Sequence, residues 1–188
     1  MSTADRARLI EVIRTRSLTV GQSMKLASGG TTSYYFDMKR TMFDPEGIAL
    51  IGDLVLDTVL PTGAELVGGL EMGAVPVALA CALRSHQRGT RRIGSFFVRK
   101  EVKEHGTKRL IEGLLPGESL QGRKVVVLED VTTTAGSAMK AIEAVRAAGA
   151  LIDTVVTVVD RLEGASENLK REGLILLPIL TARDFGVS

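Results

Sequence analysis

The chain has 188 residues, which fits one domain with a small appendage. Hydrophobic residues make up 45% of it and aromatic residues 4%, so aliphatic side chains must build a sizeable core, and disorder over most of the chain is excluded. The 24 basic and 22 acidic residues leave a net charge of +2, which argues against a nucleic-acid partner held by a broad basic face.

Cysteine usage and the apolar runs exclude further classes of protein. Cys81 is the single cysteine, so an internal disulfide framework and a multi-cysteine metal site are both ruled out. It lies in an apolar run and is expected to be a small buried residue. No apolar run approaches the roughly 18 residues that span a bilayer, and the N-terminus carries early charges instead of an apolar signal core. A cytoplasmic protein without a membrane partner is therefore expected.

The first sixty residues predict a helix, a hairpin-like segment and a second helix. Thr3 is expected to cap a helix that runs to about Arg16. Residues 20–40 are rich in Gly, Ser, Thr and Tyr and predict short strands or a hairpin. Asp44-Pro45-Glu46 combines a cap, a proline at the first helical position and an early acid, which indicates the next helix start.

Strands and helices alternate in the rest of the chain. Strands are predicted over 65–69, 93–98, 124–128, 152–159 and 175–180, and helices over 74–83 and 135–148. Gly149 stands just past the last helix, where a left-handed cap is favoured. Strands that are apolar on both faces and alternate with helices indicate a parallel sheet covered on both sides. We therefore expect one compact α/β domain, with residues 1–40 packed as an appendage on a core of residues 41–188.

The strongest local signal is a buried strand that ends in two acids and leads through a hydroxyl-rich turn into a helix. The strand Val125–Leu128 is followed by Glu129 and Asp130, and the turn continues to Ser137. The unpaired backbone N–H groups at such a helix start favour a phosphate, and they lie at the carboxyl end of a strand, where open α/β sheets bind ligands.

The two acids indicate which phosphate ligand the turn would hold. Carboxylates repel phosphate, but Glu129 and Asp130 make sense if they meet sugar hydroxyls beside a bound phosphate, as in a ribose 5-phosphate site. A nucleotide-hydrolysing loop would carry a lysine inside the turn, and a dinucleotide-binding loop would carry three spaced glycines; neither pattern is present. An ordinary capped helix after a strand is the alternative.

The segment Glu129–Ser137 resembles the signature of type I phosphoribosyltransferases. The resemblance implies a parallel sheet flanked by helices with a small N-terminal hood, and Mg²⁺ carried on the diphosphate of the donor, 5-phosphoribosyl 1-diphosphate, with no direct protein ligand assigned to the metal. It implies that Glu129 and Asp130 contact the ribose hydroxyls. The donor-binding turn comprises Val131, Thr132, Thr133, Thr134, Ala135, Gly136 and Ser137.

The segment after the strand 93–98 resembles the catalytic loop of the orotate phosphoribosyltransferase family. Residues 99–109 are rich in charge and poor in apolar anchors, so a mobile loop is expected, although a plain solvated loop has the same texture. By resemblance, Arg99, Lys100, Lys103 and His105 contact the diphosphate, and the loop is supplied across a homodimer interface. The resemblance makes Lys103, His105 and Asp130 the candidate catalytic residues.

Two further segments agree with the orotate branch of the family. Ser28-Gly29 and the aromatic residues that follow resemble the N-terminal hood, in which Tyr35 and Phe36 are candidates to cover the pyrimidine, with ordinary strand packing as the alternative. Arg161 ends a buried strand, and its guanidinium can clamp a carboxylate through two parallel hydrogen bonds. An Asp–Arg pair at a strand end is more commonly a surface ion pair, but the resemblance places the orotate-binding arginine at this position. Thr133 matches the family position that hydrogen-bonds orotate.

The resemblance extends from about Leu18 to Arg161 and departs at two positions. Ala27 and Met72 stand where many members carry lysine, and Lys25 is a weak substitute for the first. The expected activity is transfer of ribose 5-phosphate to orotate, giving orotidine 5′-phosphate. A purine or uracil salvage phosphoribosyltransferase remains an alternative, since it needs no carboxylate clamp, as does a non-enzymatic regulator that senses the donor.

Overall fold

The described residues of the computed structural model are 2–25, 31–101 and 110–187. Their elements in chain order are α1 (Thr3–Arg16), β1 (Leu18–Lys25), β2 (Thr31–Phe36), α2 (Lys39–Met42), α3 (Pro45–Val59), β3 (Leu66–Gly68), α4 (Ala74–Gln87), β4 (Gly94–Ser95), β5 (Phe97–Val98), β6 (Ile111–Glu112), β7 (Lys124–Thr132), α5 (Gly136–Ala147), β8 (Leu151–Asp160), α6 (Ala165–Arg171) and β9 (Ile175–Thr181). None of the helices within these ranges has the length and apolar character required to cross a bilayer.

A five-stranded parallel sheet forms the centre of the fold, in the order β4-β3-β7-β8-β9. Successive side chains of the central strand β7 point to opposite sides of the sheet. Both sets are buried, because each side of the sheet is covered by a hydrophobic core. Val126 and Leu128 join the core that contains Leu9 of α1 and residues of α3. Val125 and Val127 join the core beneath α5 and α6. The predicted α/β class, with a parallel sheet covered on both sides, is confirmed.

The hood consists of an antiparallel hairpin of β1 and β2, in which Leu18 pairs with Phe36. In β2 the side chains alternate: Tyr34 and Phe36 are buried, whereas Tyr35 is 41% exposed. The hairpin predicted within residues 20–40 is thus present. The boundary proposed between residues 40 and 41 falls inside α2, and the division into appendage and core stays a prediction.

Two local predictions were wrong. Ser2, not Thr3, caps α1, because its side chain accepts the Asp5 N–H (3.3 Å) and Thr3 is already helical. The strand expected over 93–98 divides at buried Phe96: β4 pairs with β3 in the main sheet, whereas β5 pairs antiparallel with β6, although Val98 still forms a parallel bridge with Leu70 just after β3.

Other local predictions are confirmed. Asp44 caps α3 by accepting the N–H groups of Glu46 and Gly47, with Pro45 at the first position. Gly149 adopts a left-handed φ of 81° just past α5. Cys81 is fully buried, and burial raises the pKa of its thiol to about 12, as befits an unreactive core residue.

Candidate active site

The two acids and the arginine that the sequence singled out meet at one edge of the sheet. Strands β7 and β8 are adjacent and parallel, with Thr132 opposite Asp160. The Arg161 backbone N–H donates to the Thr132 carbonyl (2.9 Å), which extends the pairing beyond the end of β8. The carboxyl ends of neighbouring parallel strands therefore bring Glu129, Asp130 and Arg161 to the ligand-binding edge of the sheet.

The turn after β7 enters α5 through Ala135, which has a left-handed φ of 68°. A non-glycine residue in this region is strained, and such strain is concentrated at functional sites. Ala135 has no side-chain acceptor that could cap α5. The first backbone N–H groups of the helix therefore remain available to an anion. Asn168 of α6 supports the turn by donating to the Thr134 carbonyl (3.0 Å).

A cavity of about 200 Å³, called here the small cavity, lies between this turn and the segment after β3. The Glu71 carboxylate accepts the Lys100 backbone N–H (2.9 Å) and so connects the segment after β3 to the residues that follow β5. A Cβ at Gly73 would collide with the Asp130 carboxylate, so glycine is needed here for space. The lining residues are Leu70, Glu71, Met72, Gly73, Ala74, Lys100, Glu129, Asp130, Val131 and Ser137.

A second cavity, called here the large cavity, has about 660 Å³ and lies between the hood and the turn. Asp130, Val131 and Ser137 border both cavities, so the two are neighbours. The large cavity is lined by Tyr35, Phe36, Met38, Lys39, Asp130, Val131, Thr133, Thr134, Gly136, Ser137, Lys140 and Arg161. It thus joins the hood aromatics, the turn hydroxyls and the predicted carboxylate clamp.

Burial controls the electrostatics of the two acids. Glu129 is 7% exposed, and burial raises the pKa of its carboxyl to about 8, although the Thr132 hydroxyl, which donates to it (3.1 Å), opposes the shift. Burial also raises the pKa of Asp130, and the N–H groups of Val131 and Asp130 act against it. Hydroxyl groups of a ligand that donate to such a buried carboxyl favour its ionised form and would lower the raised pKa.

The Arg161 guanidinium is buried and fixed from two sides. Its terminal nitrogen Nη2 lies 2.7 Å from the Glu163 carboxylate, and the side chain is 3% exposed. Its Cζ lies 4.5 Å from the centroid of the Tyr34 ring, which is a cation–π contact. Although buried, Arg161 borders the large cavity.

Three predicted site residues do not line either cavity. Thr132 and Ala135 are buried within the turn, where Thr132 contacts Glu129 and Ala135 shapes the backbone. The Arg99 Nε donates to the Glu101 carbonyl (3.4 Å) instead. Lys103 and His105, together with Ala27 and the Ser28-Gly29 pair, lie outside the described residues.

The structure also places residues at the site that the sequence reasoning did not assign, namely Lys39 and Lys140 at the large cavity and Glu71 at the small cavity, beside the already noted Met72 and Lys100. Met72 is 59% exposed at the small cavity, and within the described ranges the cation bordering that cavity is Lys100. Lys39 follows the hood strand, and its ammonium is bound to Asp37 (2.9 Å), which raises its pKa. Lys140 lies one helical turn after Gly136, and this spacing was a usable signal. Nothing local to Lys39 indicated a site, whereas Glu71 belongs to the same glycine-rich turn as Met72, and that turn was a usable signal.

Among the described residues, carboxylate oxygens that could approach a cation are present, but no set of side chains surrounds a metal site. Within residues 2–25, 31–101 and 110–187, no group of three metal-ligating side chains comes together. The carboxylates of Glu71, Glu129 and Asp130 border the small cavity. This arrangement fits Mg²⁺ that is held mainly by a bound diphosphate and approached by protein carboxylates, because Mg²⁺ commonly takes only one or two protein ligands alongside phosphates.

The central strand of the parallel sheet ends in two acids and leads into a strained, phosphate-type turn. This arrangement is that of the type I phosphoribosyltransferases. A Bradyrhizobium orotate phosphoribosyltransferase is 50% identical over 182 residues, covering 97% of each chain. The Mycobacterium tuberculosis orotate phosphoribosyltransferase solved with 5-phospho-α-D-ribosyl 1-diphosphate is 37% identical, with a TM-score of 0.78 over 97% of this chain and 99% of that one. A Corynebacterium diphtheriae phosphoribosyltransferase structure is 35% identical, with a TM-score of 0.82 over 98% and 100%. No family model matches the chain. The chain belongs to the orotate phosphoribosyltransferase family.

Proposed function

We propose that the protein transfers ribose 5-phosphate from 5-phosphoribosyl 1-diphosphate to orotate, giving orotidine 5′-phosphate and diphosphate in pyrimidine biosynthesis. The observation that carries this proposal is the position of Arg161: a buried guanidinium faces the same cavity as the phosphate-type turn. A carboxylated acceptor matches that guanidinium, because arginine pairs with carboxylates through two parallel hydrogen bonds. A purine or uracil has no carboxylate to offer it.

The donor spans the two neighbouring cavities in this proposal. Its 5-phosphate lies against the backbone N–H groups at the start of α5, and the hydroxyls of Thr133, Thr134 and Ser137 add donors. Glu129 and Asp130 accept hydrogen bonds from the ribose hydroxyls. The diphosphate extends into the small cavity towards Lys100. Asp130 borders both cavities, which is the position expected for a group beneath the ribose.

Orotate occupies the part of the large cavity next to the hood. Its carboxylate pairs with Arg161, Thr133 hydrogen-bonds the ring, and Tyr35 and Phe36 cover its flat face. A ring nitrogen then forms a bond to the anomeric carbon as the bond from that carbon to the diphosphate oxygen breaks, and the nitrogen releases its proton. The acceptor and the leaving group therefore lie on opposite sides of Asp130 in this arrangement.

Stabilisation of the leaving group is assigned to the cationic loop. Because the transition state resembles an oxocarbenium ion, positive charge on the departing diphosphate matters more than a strong base. Arg99, Lys100, Lys103 and His105 provide that charge, and Mg²⁺, when bound to the diphosphate, neutralises part of its negative charge. Closure of the loop also excludes water, which would otherwise hydrolyse the donor.

We further propose that the active unit is a two-fold homodimer in which the loop of residues 99–109 completes the neighbouring site. Exposed apolar side chains support a dimer: Leu79 and Leu83 of α4 are 58% and 56% exposed. Together with Pro45 and Ile48 of α3 they line a depression of about 440 Å³. Contiguous exposed apolar surface marks an interaction site, and a two-fold axis pairs one such patch with its copy. A cytoplasmic location stays a prediction of the sequence.

The test is an acceptor panel. The protein is incubated with the donor and Mg²⁺ and with orotate, uracil, adenine, guanine or hypoxanthine, and diphosphate release is measured. We expect release with orotate alone. Release with uracil or a purine but not with orotate identifies a salvage enzyme. Release with no base, combined with a gel shift of RNA or DNA, supports the donor-sensing regulator instead.

Replacing Arg161 by alanine is expected to raise the KM for orotate about tenfold to a hundredfold, with a much smaller change for the donor. A buried carboxylate that loses its partner costs about 1–3 kcal/mol, and each 1.4 kcal/mol is a factor of about ten. The measurement is steady-state kinetics with each substrate varied. Arg146→Ala is the matched control, since this half-exposed arginine lies at the far end of α5 and should leave both KM values unchanged. Equal losses for both substrates would make Arg161 a scaffold residue.

Donor binding at about pH 7 is expected to release a proton from Glu129. Because burial raises the pKa of this carboxyl to about 8, it is mostly protonated in the free protein at that pH. Ribose hydroxyls that donate to the carboxylate favour the ionised form and lower its pKa, so the donor affinity should rise as the pH increases towards 8 and then level off.

Calorimetry in two buffers with different ionisation enthalpies measures the proton count. Glu129→Gln keeps the side-chain shape without a titrating proton, so it should bind the donor and release up to about one proton fewer than the wild type. The donor's own ionisation contributes equally to both proteins and cancels. Identical proton release by the two proteins would remove Glu129 from the ribose site.

A further inference from the structure

Arg161 contacts an aromatic residue, Tyr34, that has no role in the proposed reaction. The guanidinium carbon lies 4.5 Å from the centre of the Tyr34 ring, and Nη2 is held by Glu163 at 2.7 Å. The ring beneath the guanidinium and the carboxylate at one terminal nitrogen both restrict the orientation of the guanidinium plane where it borders the large cavity. A long side chain would otherwise lose rotamer entropy when it binds a ligand.

Tyr34 is itself held rigidly. Its side chain is 3% exposed, on the inner side of β2, whereas neighbouring Tyr35 is 41% exposed. The Tyr34 ring contacts the Phe36 ring edge to face, with centroids 5.7 Å apart, and Phe36 contacts Phe185 in the same way at 5.0 Å. This row of three rings links the hood to the segment after β9, so the platform beneath Arg161 is part of the packed core.

We propose that Tyr34 is a positioning residue: its ring fixes the Arg161 guanidinium so that the arginine meets the orotate carboxylate without reorganisation. This inference rests on the proposed function. The attraction between the guanidinium and the ring face is electrostatic, and it is strengthened here because both groups are buried. A bidentate pair depends on the angle of the guanidinium plane, so a loosened arginine loses affinity even though its charge remains.

The expected result is a selective loss of orotate affinity in Tyr34→Leu. Its KM for orotate should rise about tenfold, which corresponds to about 1.4 kcal/mol and lies within the range of buried cation–π contacts. The KM for the donor and the kcat at saturating orotate should stay within about twofold. Tyr34→Phe keeps the ring and should recover most of the orotate affinity. A purely structural role would lower the thermal midpoint and move both KM values together.

A graded series covers the case in which Tyr34→Leu fails to fold. Phenylalanine, difluorophenylalanine and trifluorophenylalanine are incorporated at position 34; the rings have nearly the same shape, but fluorine progressively weakens the negative ring face. The orotate KM should rise stepwise with fluorination, at constant donor KM. A flat series overturns the role of Tyr34. A wild-type protein that does not use orotate at all would instead overturn the proposed function, so the two failures are distinguishable.

Discussion

Replacing Asp130 by alanine is expected to reduce kcat/KM at least about a hundredfold while the fold survives. The carboxylate borders both cavities and lies beside Gly73, where a Cβ would already collide with it. In the proposed reaction it holds the ribose hydroxyls close to the developing positive charge. Loss of one such preorganised group costs about 3 kcal/mol in the barrier, and each 1.36 kcal/mol is tenfold in rate.

The fold should survive because burying the Asp130 carboxylate is unfavourable, as the raised pKa of this group indicates. Alanine at this position removes that unfavourable contribution to the free energy of folding. Diphosphate release is measured alongside the thermal midpoint. Asp153→Ala is the matched control, because this carboxylate lies near the start of β8, at the end of the sheet away from the site. It forms a half-exposed ion pair with Lys124 (2.8 Å). A folded Asp130→Ala protein with near-wild-type turnover would refute the assignment of the ribose site.

Two inactive variants should restore activity when they are refolded together. Lys103→Ala removes a loop cation, at a cost of about a hundredfold in rate, and Asp130→Ala removes the ribose contact. If the loop serves the neighbouring site, each mixed dimer has one site with both lesions and one site with neither. Random assortment makes about half of the dimers mixed, so the activity should return to about a quarter of wild type.

The control is a mixture of Asp130→Ala and Glu129→Ala, whose residues border the same small cavity of one subunit. Every site of that mixed dimer lacks one of the two carboxylates, so the mixture should show no more activity than the two variants measured separately. Differently tagged subunits verify that mixed dimers have formed. If the Lys103 mixture also stays inactive although its mixed dimers are present, the loop serves its own subunit, and the phosphate site is unaffected by that result.

The elements near the phosphate turn were predictable because their determinants are local. A strand that is apolar on both faces, two acids and a hydroxyl-rich helix start occupy one continuous segment, 125–137, and the structure confirms the strand, the turn and α5. The parallel sheet followed from the alternation of apolar strands with helices. The roles of Lys103 and His105 stay predictions, since they rest on resemblance and those residues lie outside the described part of the chain.

By itself, then, the sequence determined the α/β class, the phosphate-type turn and the acids before it, because backbone periodicity and turn chemistry depend on neighbours along the chain. Only the tertiary structure decided which distant residues meet there. Tyr34 and Arg161 are far apart in the chain, and their contact depends on how the hood hairpin packs against the end of β8. Asn168 reaches the turn from α6, a helix that the sequence did not predict. Such contacts depend on how whole elements pack, which local patterns do not encode.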